Sequence, residues 1–283
     1  MPNVPVTGIT ATIGSITAGT DLLHIQNVAC DLVAFVPSVV ADSFDTTRLA
    51  AATRRMTAGL ASADIPFRAL YPLTTPRVGA SGLVTFASGT TAFCNSFSLT
   101  FDWGEVDITR FTGAAQTHKV FRPGTIPTIS GSFRAYVLDD ATPLGPTAPN
   151  GNGAAVSFKL TEDGAIDPAI AGNIIVTGEQ YGEVSRTTNE IPVTYQFQGA
   201  GTALWTSTAG TSTPCVLPAG NIDAPDWDTN NDGVPDVSAT FTFATSRTFV
   251  SSVFIRTLTI ESTAQGLILV SGVLRTTGAI TRA

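Results

Sequence analysis

Strict alternation of apolar and polar residues constrains this chain more than any other feature. In NSFSLTFDW (95–103), single polar residues separate the apolar side chains of Phe97, Leu99, Phe101 and Trp103. Successive side chains of a β-strand point to opposite faces, so this pattern predicts a strand with one buried face. No helix would gather these four side chains on one side.

The same alternation recurs along most of the chain. It is found in the stretches 82–88, 130–140, 172–182, 191–201, 237–246, 251–262 and 266–280. Charged residues make up only 13% of the chain and apolar residues 43%, which is typical of a protein whose bland surfaces are partly covered by neighbouring subunits. Together these features predict a mainly β protein built from antiparallel sheet.

Helical signals are sparse. The best candidate is 44–60, in which Asp45 is a plausible N-cap and Gly59 a plausible C-terminal stop. A second, shorter candidate covers 107–121. We therefore expect two short helices that flank the sheet structure, one from each candidate stretch. The stretches 71–82, 139–155 and 206–236 are rich in Pro, Gly and Asn and are predicted to be loops.

Two internal echoes suggest a duplication. DTTRL (45–49) and DITRF (107–111) open similar segments, and each segment reaches Phe-Arg-Ala, at 67–69 and 133–135. A second echo relates 173–204 to 253–280, where Gly201 and Gly278 correspond. Such repeats decide the architecture of a chain. They predict two related β-domains, one continuous over 78–206 and one assembled from 1–77 plus 207–283.

The stretch 93–204 resembles the tail tube (major tail) proteins of long-tailed bacteriophages. The resemblance rests on NSFSLTFDWGEVDITRF (95–111), KVFRPGTIPTISGSFRAYVLDD (119–140) and AIAGNIIVTGEQYGEVSRTTNEIPVTYQFQGAG (169–201). The family has a strand that ends in an acidic turn, a Thr-apolar step, a Gly-rich strand and a final strand before a Gly. The terminal segments join the resemblance only through the internal echoes.

This resemblance implies a β-sandwich or half-barrel with one flanking helix per domain. It implies subunits that form rings whose inner strands close into an inter-subunit β-barrel, and rings that stack into a tube through which DNA passes without specific binding. With two domains in one chain, we expect a trimer with pseudo-sixfold symmetry rather than a hexamer. The expected location is the virion tail, assembled in the host cytoplasm beside other tail proteins.

The charge balance agrees with a conduit for DNA rather than a clamp. The formal net charge is −7, and the 15 Lys and Arg residues are scattered. A protein that grips nucleic acid needs clustered cations to neutralise phosphates. No apolar run reaches the length of a membrane span, and no signal peptide is visible, so we expect no membrane association.

One loop carries a candidate metal site. In DTNNDGVPD (228–236), oxygen donors recur at alternate positions and a Gly permits the tight turn, as in calcium-binding loops. The acidic residue that would close a twelve-residue loop is missing. The candidate ligands of a Ca²⁺ ion are Asp228, Asn230, Asp232, Asp236 and the carbonyl of Val234. The alternative is an Asx-rich surface turn.

Nothing in the sequence assembles a catalytic set, and we expect no enzyme activity. His24 and His118 lack partners at ligand spacing, and the three cysteines are widely separated. Glu105 and Asp107 could form an acid–base pair, but a solvated turn is the simpler interpretation. Two other functions stay open: another phage ring protein on the same fold (tail terminator, hub or connector), or a calcium-stabilised extracellular β-sandwich that binds carbohydrate.

Overall fold

The computed structural model describes fifteen segments of the chain. They are 10–13, 31–48, 53–71, 83–86, 91–110, 117–138, 153–160, 169–182, 190–200, 205–208, 220–221, 234–235, 237–244, 247–263 and 268–282.

Every regular element in these segments is a β-strand. The first eight are β1 (Thr10–Ile13), β2 (Asp31–Phe35), β3 (Ser38–Asp45), β4 (Met56–Tyr71), β5 (Leu83–Phe86), β6 (Thr91–Asp102), β7 (Val106–Asp107) and β8 (Phe121–Arg122). The others are β9 (Thr128–Leu138), β10 (Ala154–Lys159), β11 (Ala169–Tyr181), β12 (Glu190–Gly199), β13 (Thr206–Thr208), β14 (Gly220–Asn221), β15 (Ser238–Ala244), β16 (Arg247–Thr263) and β17 (Ile268–Arg282).

The prediction of a mainly β, antiparallel protein is confirmed. All named strand pairs are antiparallel, and fifteen strands join in one sheet. Strand β6 shows why, because Phe97, Leu99 and Phe101 are buried while the residues between them are not. Each fully buried Phe or Leu contributes about 1.5–3 kcal/mol to folding. The alternation is therefore strong enough to fix which face of the strand points inward.

The predicted flanking helices are absent from the described residues. The 44–60 prediction is wrong, because Phe44 and Asp45 lie in β3 and residues 56–60 lie in β4. Over 107–121, Asp107 ends β7 and Phe121 begins β8, and the described residues between them are not helical. Ala-rich sequence favours a helix only weakly. Here residues 56–64 of β4 pair with β3, residues 64–71 of the same strand pair with β17, and this pairing prevails.

Six strands from the middle of the chain close on themselves. This central set comprises β5, β6, β9, β10, β11 and β12. The pairing order is β6–β9–β12–β11–β10–β5, and β5 pairs again with β6. A closed cycle leaves no unpaired edge along the length that takes part in it. The central set is thus a small barrel-like unit.

The strands from the two chain ends repeat this order. This terminal set comprises β1, β2, β3, β4, β15, β16 and β17. Its pairing order is β2/β3–β4–β17–β16–β15–β1, where β2 and β3 follow one another along the same edge of β4. Strand for strand, the order in the sheet and the order along the chain match those of the central set.

The register repeats as well as the order. Phe97 pairs with Phe133, which pairs with Tyr195 on its other side. The equivalent line in the terminal set runs from Phe35 to Phe67 to Gly272. Both Phe67 and Phe133 open the echoed Phe-Arg-Ala. The echo therefore corresponds to one strand position used twice.

The β-bulges fall at equivalent places. Strand β11 has its bulge between Val176 and Gly178, and β16 has its own between Ile255 and Thr257. A bulge inserts one residue and bends the strand, so it is a built feature rather than noise. Bulges also match between β6, at Cys94/Ser96, and β2, at Leu32/Ala34. Chance similarity between Thr-rich strands does not account for this agreement.

The core lies inside the central set and continues under the terminal set. Aromatic rings fill its middle: Phe97, Phe101, Phe133, Phe158, Tyr195, Phe197 and Trp205. Phe133 stacks on Tyr195 with 5.0 Å between ring centroids. The predicted domain boundary at 77/78 lies outside the described residues. The boundary at 206/207 falls within β13, which pairs with β11 of the central set.

Candidate assembly interface

The two strand sets meet edge to edge through β6 and β16. Residues 96–102 of β6 pair with residues 257–263 of β16, in line with the β15 pairing along the same edge of β16. Leu99 lies opposite Ile260, and both side chains are fully buried. The hydroxyls of Thr100 and Thr259 are 3.0 Å apart across the same junction. The junction thus combines a backbone ladder, apolar burial and a side-chain hydrogen bond.

A cluster of four charged side chains lies at one end of this junction. Asp64 of β4 accepts a hydrogen bond of 2.9 Å from Arg275 and lies 3.3 Å from a terminal nitrogen of Arg256. Glu105, which follows β6, lies 3.0 Å from Nε of Arg275 and 3.7 Å from Arg256. The contact between Glu105 and Nε of Arg275 is an ion pair by distance, but it lacks the geometry of a hydrogen bond. The guanidinium of Arg275 also lies 4.1 Å from the ring centroid of Phe121. Opposite charges from both sets alternate here, which stabilises their contact.

The candidate acid–base pair of Glu105 and Asp107 is divided between two structural roles. Glu105 faces the arginines, whereas Asp107 accepts a hydrogen bond of 2.9 Å from the backbone N–H of Thr109. Hydrogen bonds from the side chain and then the backbone of Thr109 lower the pKa of Asp107, with small contributions from Lys119 and Arg275. A carboxylate held ionised in this way is a poor proton donor near neutral pH.

The Asp-x-Thr echo builds the same turn twice. Asp45 accepts a hydrogen bond of 2.9 Å from the N–H of Thr47, as Asp107 does from Thr109. The Thr47 hydroxyl accepts from the N–H of Arg55 at 2.8 Å, and the Thr109 hydroxyl accepts from the N–H of Val120 at 2.9 Å. Both are Asx-turns at the end of a strand. Asp45, the predicted helix N-cap, makes a cap-like hydrogen bond, but no helix follows in the described residues.

Each of the two edges that meet at the junction, that of β6 and that of β16, has an equivalent edge in the other strand set. Neither of these two equivalent edges pairs with another described strand. One is the outer edge of β2 and β3, equivalent to the β6 edge that meets β16. The other is the edge of β11 over residues 175–181, beyond the end of β10, equivalent to the β16 edge that meets β6. Unpaired N–H and C=O groups make such edges ready to accept a further strand.

Apolar side chains are exposed beside both edges. Val36 is 64% exposed, Val40 62% and Tyr181 54%, whereas Ile260, the counterpart of Tyr181, is fully buried. Single exposed apolar residues need no explanation, but here they cluster where the other set has a partner. Sequence reasoning missed these edges. The available signal was Pro37 within an apolar run, because Pro in a strand is typical of an edge.

The candidate calcium ligands cannot be placed. Asp228, Asn230, Asp232 and Asp236 lie outside the described residues, and only Val234 is described, as half-buried. Within the part of the chain that the structure describes, no three His, Cys, Asp or Glu side chains gather at a metal-binding distance. The calcium site therefore stays a prediction.

The other candidate reactive residues are held in structural positions or lie outside the described segments. Cys94 is half-buried, and burial raises the pKa of its thiol to about 11, so it is a weak nucleophile. His118 has its Nδ1 2.7 Å from the hydroxyl of Thr117. Cys30, Cys215 and His24 lie outside the described residues.

No family model, curated protein or solved structure matches this chain. Among the described residues there is no helix long and apolar enough to cross a membrane. The repeated turn, the junction and its two unpaired counterparts are therefore the features on which a function can be argued.

Proposed function

We propose that this chain is a virion structural protein, the major tail tube subunit of a long-tailed bacteriophage. One observation carries the proposal: two strand sets with the same order and register are joined edge to edge within one chain. A chain that joins equivalent halves in this way leaves equivalent edges at its two outer sides. Head-to-tail repetition of such a contact gives a ring when the rotation closes.

In this proposal three chains supply six equivalent halves to each ring. The stacked rings form the tube. The low content of charged residues suits a surface that neighbouring copies cover. The work of the protein is assembly, and no catalytic step is part of it.

The net charge of −7 supports passage of DNA rather than its capture. Phosphates are repelled by acidic surfaces, and binding without sequence preference requires clustered cations. Along the described strands, arginines such as Arg256 and Arg275 are already paired with carboxylates. The tube would thus carry DNA without holding it.

Electron microscopy of the purified chain tests the proposal. We expect rings that stack into tubes, with three chains per ring by native mass measurement. Rings that never stack would favour a tail terminator, hub or connector, and six chains per ring would contradict the trimer. A dispersed monomer that binds glycans would overturn the assembly function in favour of a carbohydrate-binding module.

We also propose that the stretch 228–236 binds one Ca²⁺ ion. Its oxygen donors at alternate positions and its Gly support this. Calcium should then raise the melting temperature, by mass action on the folded state, and EDTA should lower it. Titration calorimetry of the wild type beside Asp228→Ala/Asp232→Ala would decide, and absence of binding heat in the wild type would contradict the site.

A further inference from the structure

The junction inside the chain also specifies which residues of two neighbouring copies should meet. We propose that the edge of β11 in one copy pairs, antiparallel, with the outer edge of β2 and β3 in the next copy, in the register of the β16–β6 junction. This inference rests on the proposed ring assembly and adds the strands, the direction and the register of the contact.

The two edges are equivalent because each lies beside a matched strand. In the central set, β6 lies next to β9; in the terminal set, β2 and β3 lie next to β4. Thr100 pairs with Ser130 of β9 and Ser38 pairs with Asp64 of β4, so Ser38 holds the place of Thr100. The edge that β6 offers to β16 is therefore the edge that β2 and β3 leave unpaired among the described residues.

The same comparison places β11 against β16. Glu179 lies opposite Tyr195, and Leu258 lies opposite Gly272, the two positions already matched across the sets. One residue further on, Gln180 corresponds to Thr259. The bulges of both strands precede these residues by the same number of positions, so the correspondence does not slip.

The register of the copy-to-copy contact follows directly. Within the chain, Thr259 lies opposite Thr100, and their hydroxyls are 3.0 Å apart. Between copies, Gln180 should therefore lie opposite Ser38. Both are exposed polar residues, as a contact awaiting a partner requires. Neighbouring positions then bring Gly178 opposite Val40 and Gly182 opposite Val36.

Exposure of apolar side chains agrees with this pairing. Val36 and Val40 are each more than 60% exposed, and Tyr181 stands where Ile260 is buried by the internal junction. Docking a second copy would cover part of these side chains, which favours association. Pro37 lacks an N–H, so the ladder between copies lacks one hydrogen bond that its counterpart Leu99 can make.

Cysteine cross-linking tests the register. The variant carries Ser38→Cys and Gln180→Cys, with Cys30, Cys94 and Cys215 changed to Ala. Two controls share the same background: Val40→Cys/Gln180→Cys, two residues out of register, and Thr100→Cys/Thr259→Cys, which should link only within a chain. Disulfides need Cβ atoms within about 3.5–4.5 Å, so the test is sensitive to a slip of two residues.

After mild oxidation of assembled protein, we expect covalent species of two and three chains from the Ser38/Gln180 variant. The out-of-register control should give at least fivefold less of them. Rings or tubes seen by microscopy without these cross-links would overturn the register and leave the ring proposal standing. A protein that forms no assembly under any condition would overturn both.

Discussion

At the scale of single residues, the echo is explained by its hydrogen bonds. Asp and Thr recur in DTTRL and DITRF because the carboxylate closes an Asx-turn and the hydroxyl anchors the turn to the opposite strand. The Arg residues of the two motifs, Arg48 and Arg110, are exposed. Comparison of the two sequence segments finds the repeated motif, but it does not show which of its five residues form the turn.

The turn at Asp107 makes a prediction about pKa. Thr109→Val removes the side-chain hydrogen bond that contributes most to lowering this pKa but keeps the backbone N–H. The pKa of Asp107 should therefore rise toward, without reaching, its ordinary value of about 3.9. Carboxyl ¹³C chemical shifts followed through an acid titration would measure it.

The sign of the pH effect follows from the lowered pKa. Asp107 stabilises the fold above the unfolded-state pKa, and this contribution disappears as pH falls through the folded-state pKa. Since Asp107 is almost fully exposed, the stability change should be small. Thr47→Val is the matched control, because it should move the pKa of Asp45 and leave that of Asp107 unchanged. An Asp107 titration that is the same in wild type and Thr109→Val would contradict the assignment.

A glycine in β9 shows how closely the strands of the central set approach. A Cβ at Gly131 would lie 2.2 Å from the Ser98 carbonyl oxygen and 2.5 Å from the Phe197 ring. Backbone cannot yield as a side chain does, so Gly131→Ala should cost about 1–3 kcal/mol of unfolding free energy. Urea unfolding would measure the loss.

The control for Gly131 is Gly178. Its added Cβ would meet only the Gln196 side chain, no nearer than 3.6 Å. Gly178→Ala should change stability by less than about 1 kcal/mol, and the narrower unfolded ensemble of Ala favours a gain. If both variants lost stability equally, a general intolerance of strands to substitution would replace the clash as the explanation.

At the scale of elements, the alternation of apolar and polar residues predicts the strand correctly, whereas helix propensity predicts a helix that is not formed. The strand over 95–103 is predicted because apolar and polar residues alternate there without interruption. In the structure, the apolar face of β6 is buried, as this alternation predicts. The helix predicted over 44–60 is wrong because its two ends, residues 44–45 of β3 and 56–60 of β4, belong to neighbouring antiparallel strands, in which Ala and Thr are equally well accommodated. Pairing partners decide such cases, and β17, which pairs with residues 64–71 of the same strand β4, lies far away in sequence.

The junction itself was beyond sequence reasoning for the same reason. Phe101 and Leu258 pair across strands that belong to different strand sets. Nothing local in either strand specifies that pairing. The charge cluster at its end was likewise hidden, because Asp64, Glu105, Arg256 and Arg275 come from four separate parts of the chain.

That cluster makes a prediction about stability. Asp64→Ala leaves Arg256 and Arg275 with Glu105 as their shared partner, in a site where the Arg275 side chain is only 13% exposed. We expect a loss of about 1–2 kcal/mol in unfolding free energy, at the lower end of what hydrogen bonds to charged groups contribute, because the Asp64 side chain is 35% exposed. Chemical denaturation would measure it.

Arg54→Ala provides the comparison, because it removes an ion pair in which the Arg54 side chain is 72% exposed. Exposed pairs contribute little, so its effect should stay below about 0.5 kcal/mol. An equal, small effect of both substitutions would mean that the cluster at the junction stabilises no more than a surface pair does.

At the scale of the whole molecule, the two strand sets match closely in backbone pairing and differ in charge. By register, Ser130 stands in place of Asp64, Gln198 in place of Arg275 and Thr177 in place of Arg256. The internal junction is therefore fastened by charges that the proposed contact between copies lacks. The chain holds its own halves together more firmly than it would hold a second chain, which suits a subunit that folds first and assembles later.

This difference in charge between the internal junction and the proposed contact predicts how salt should affect assembly. The proposed contact has no counterpart of the four-charge cluster, and it places the carboxylate of Glu179 at an edge between chains that each carry a net charge of −7. Raising NaCl from about 0.1 M to 1 M shortens the screening length from about 10 Å to about 3 Å. Repulsion between copies should weaken, and the assembled fraction in sedimentation velocity should rise. Glu179→Gln should assemble more readily at low salt and respond less to added salt, whereas assemblies that dissociate as salt rises would show that ion pairs hold the copies together.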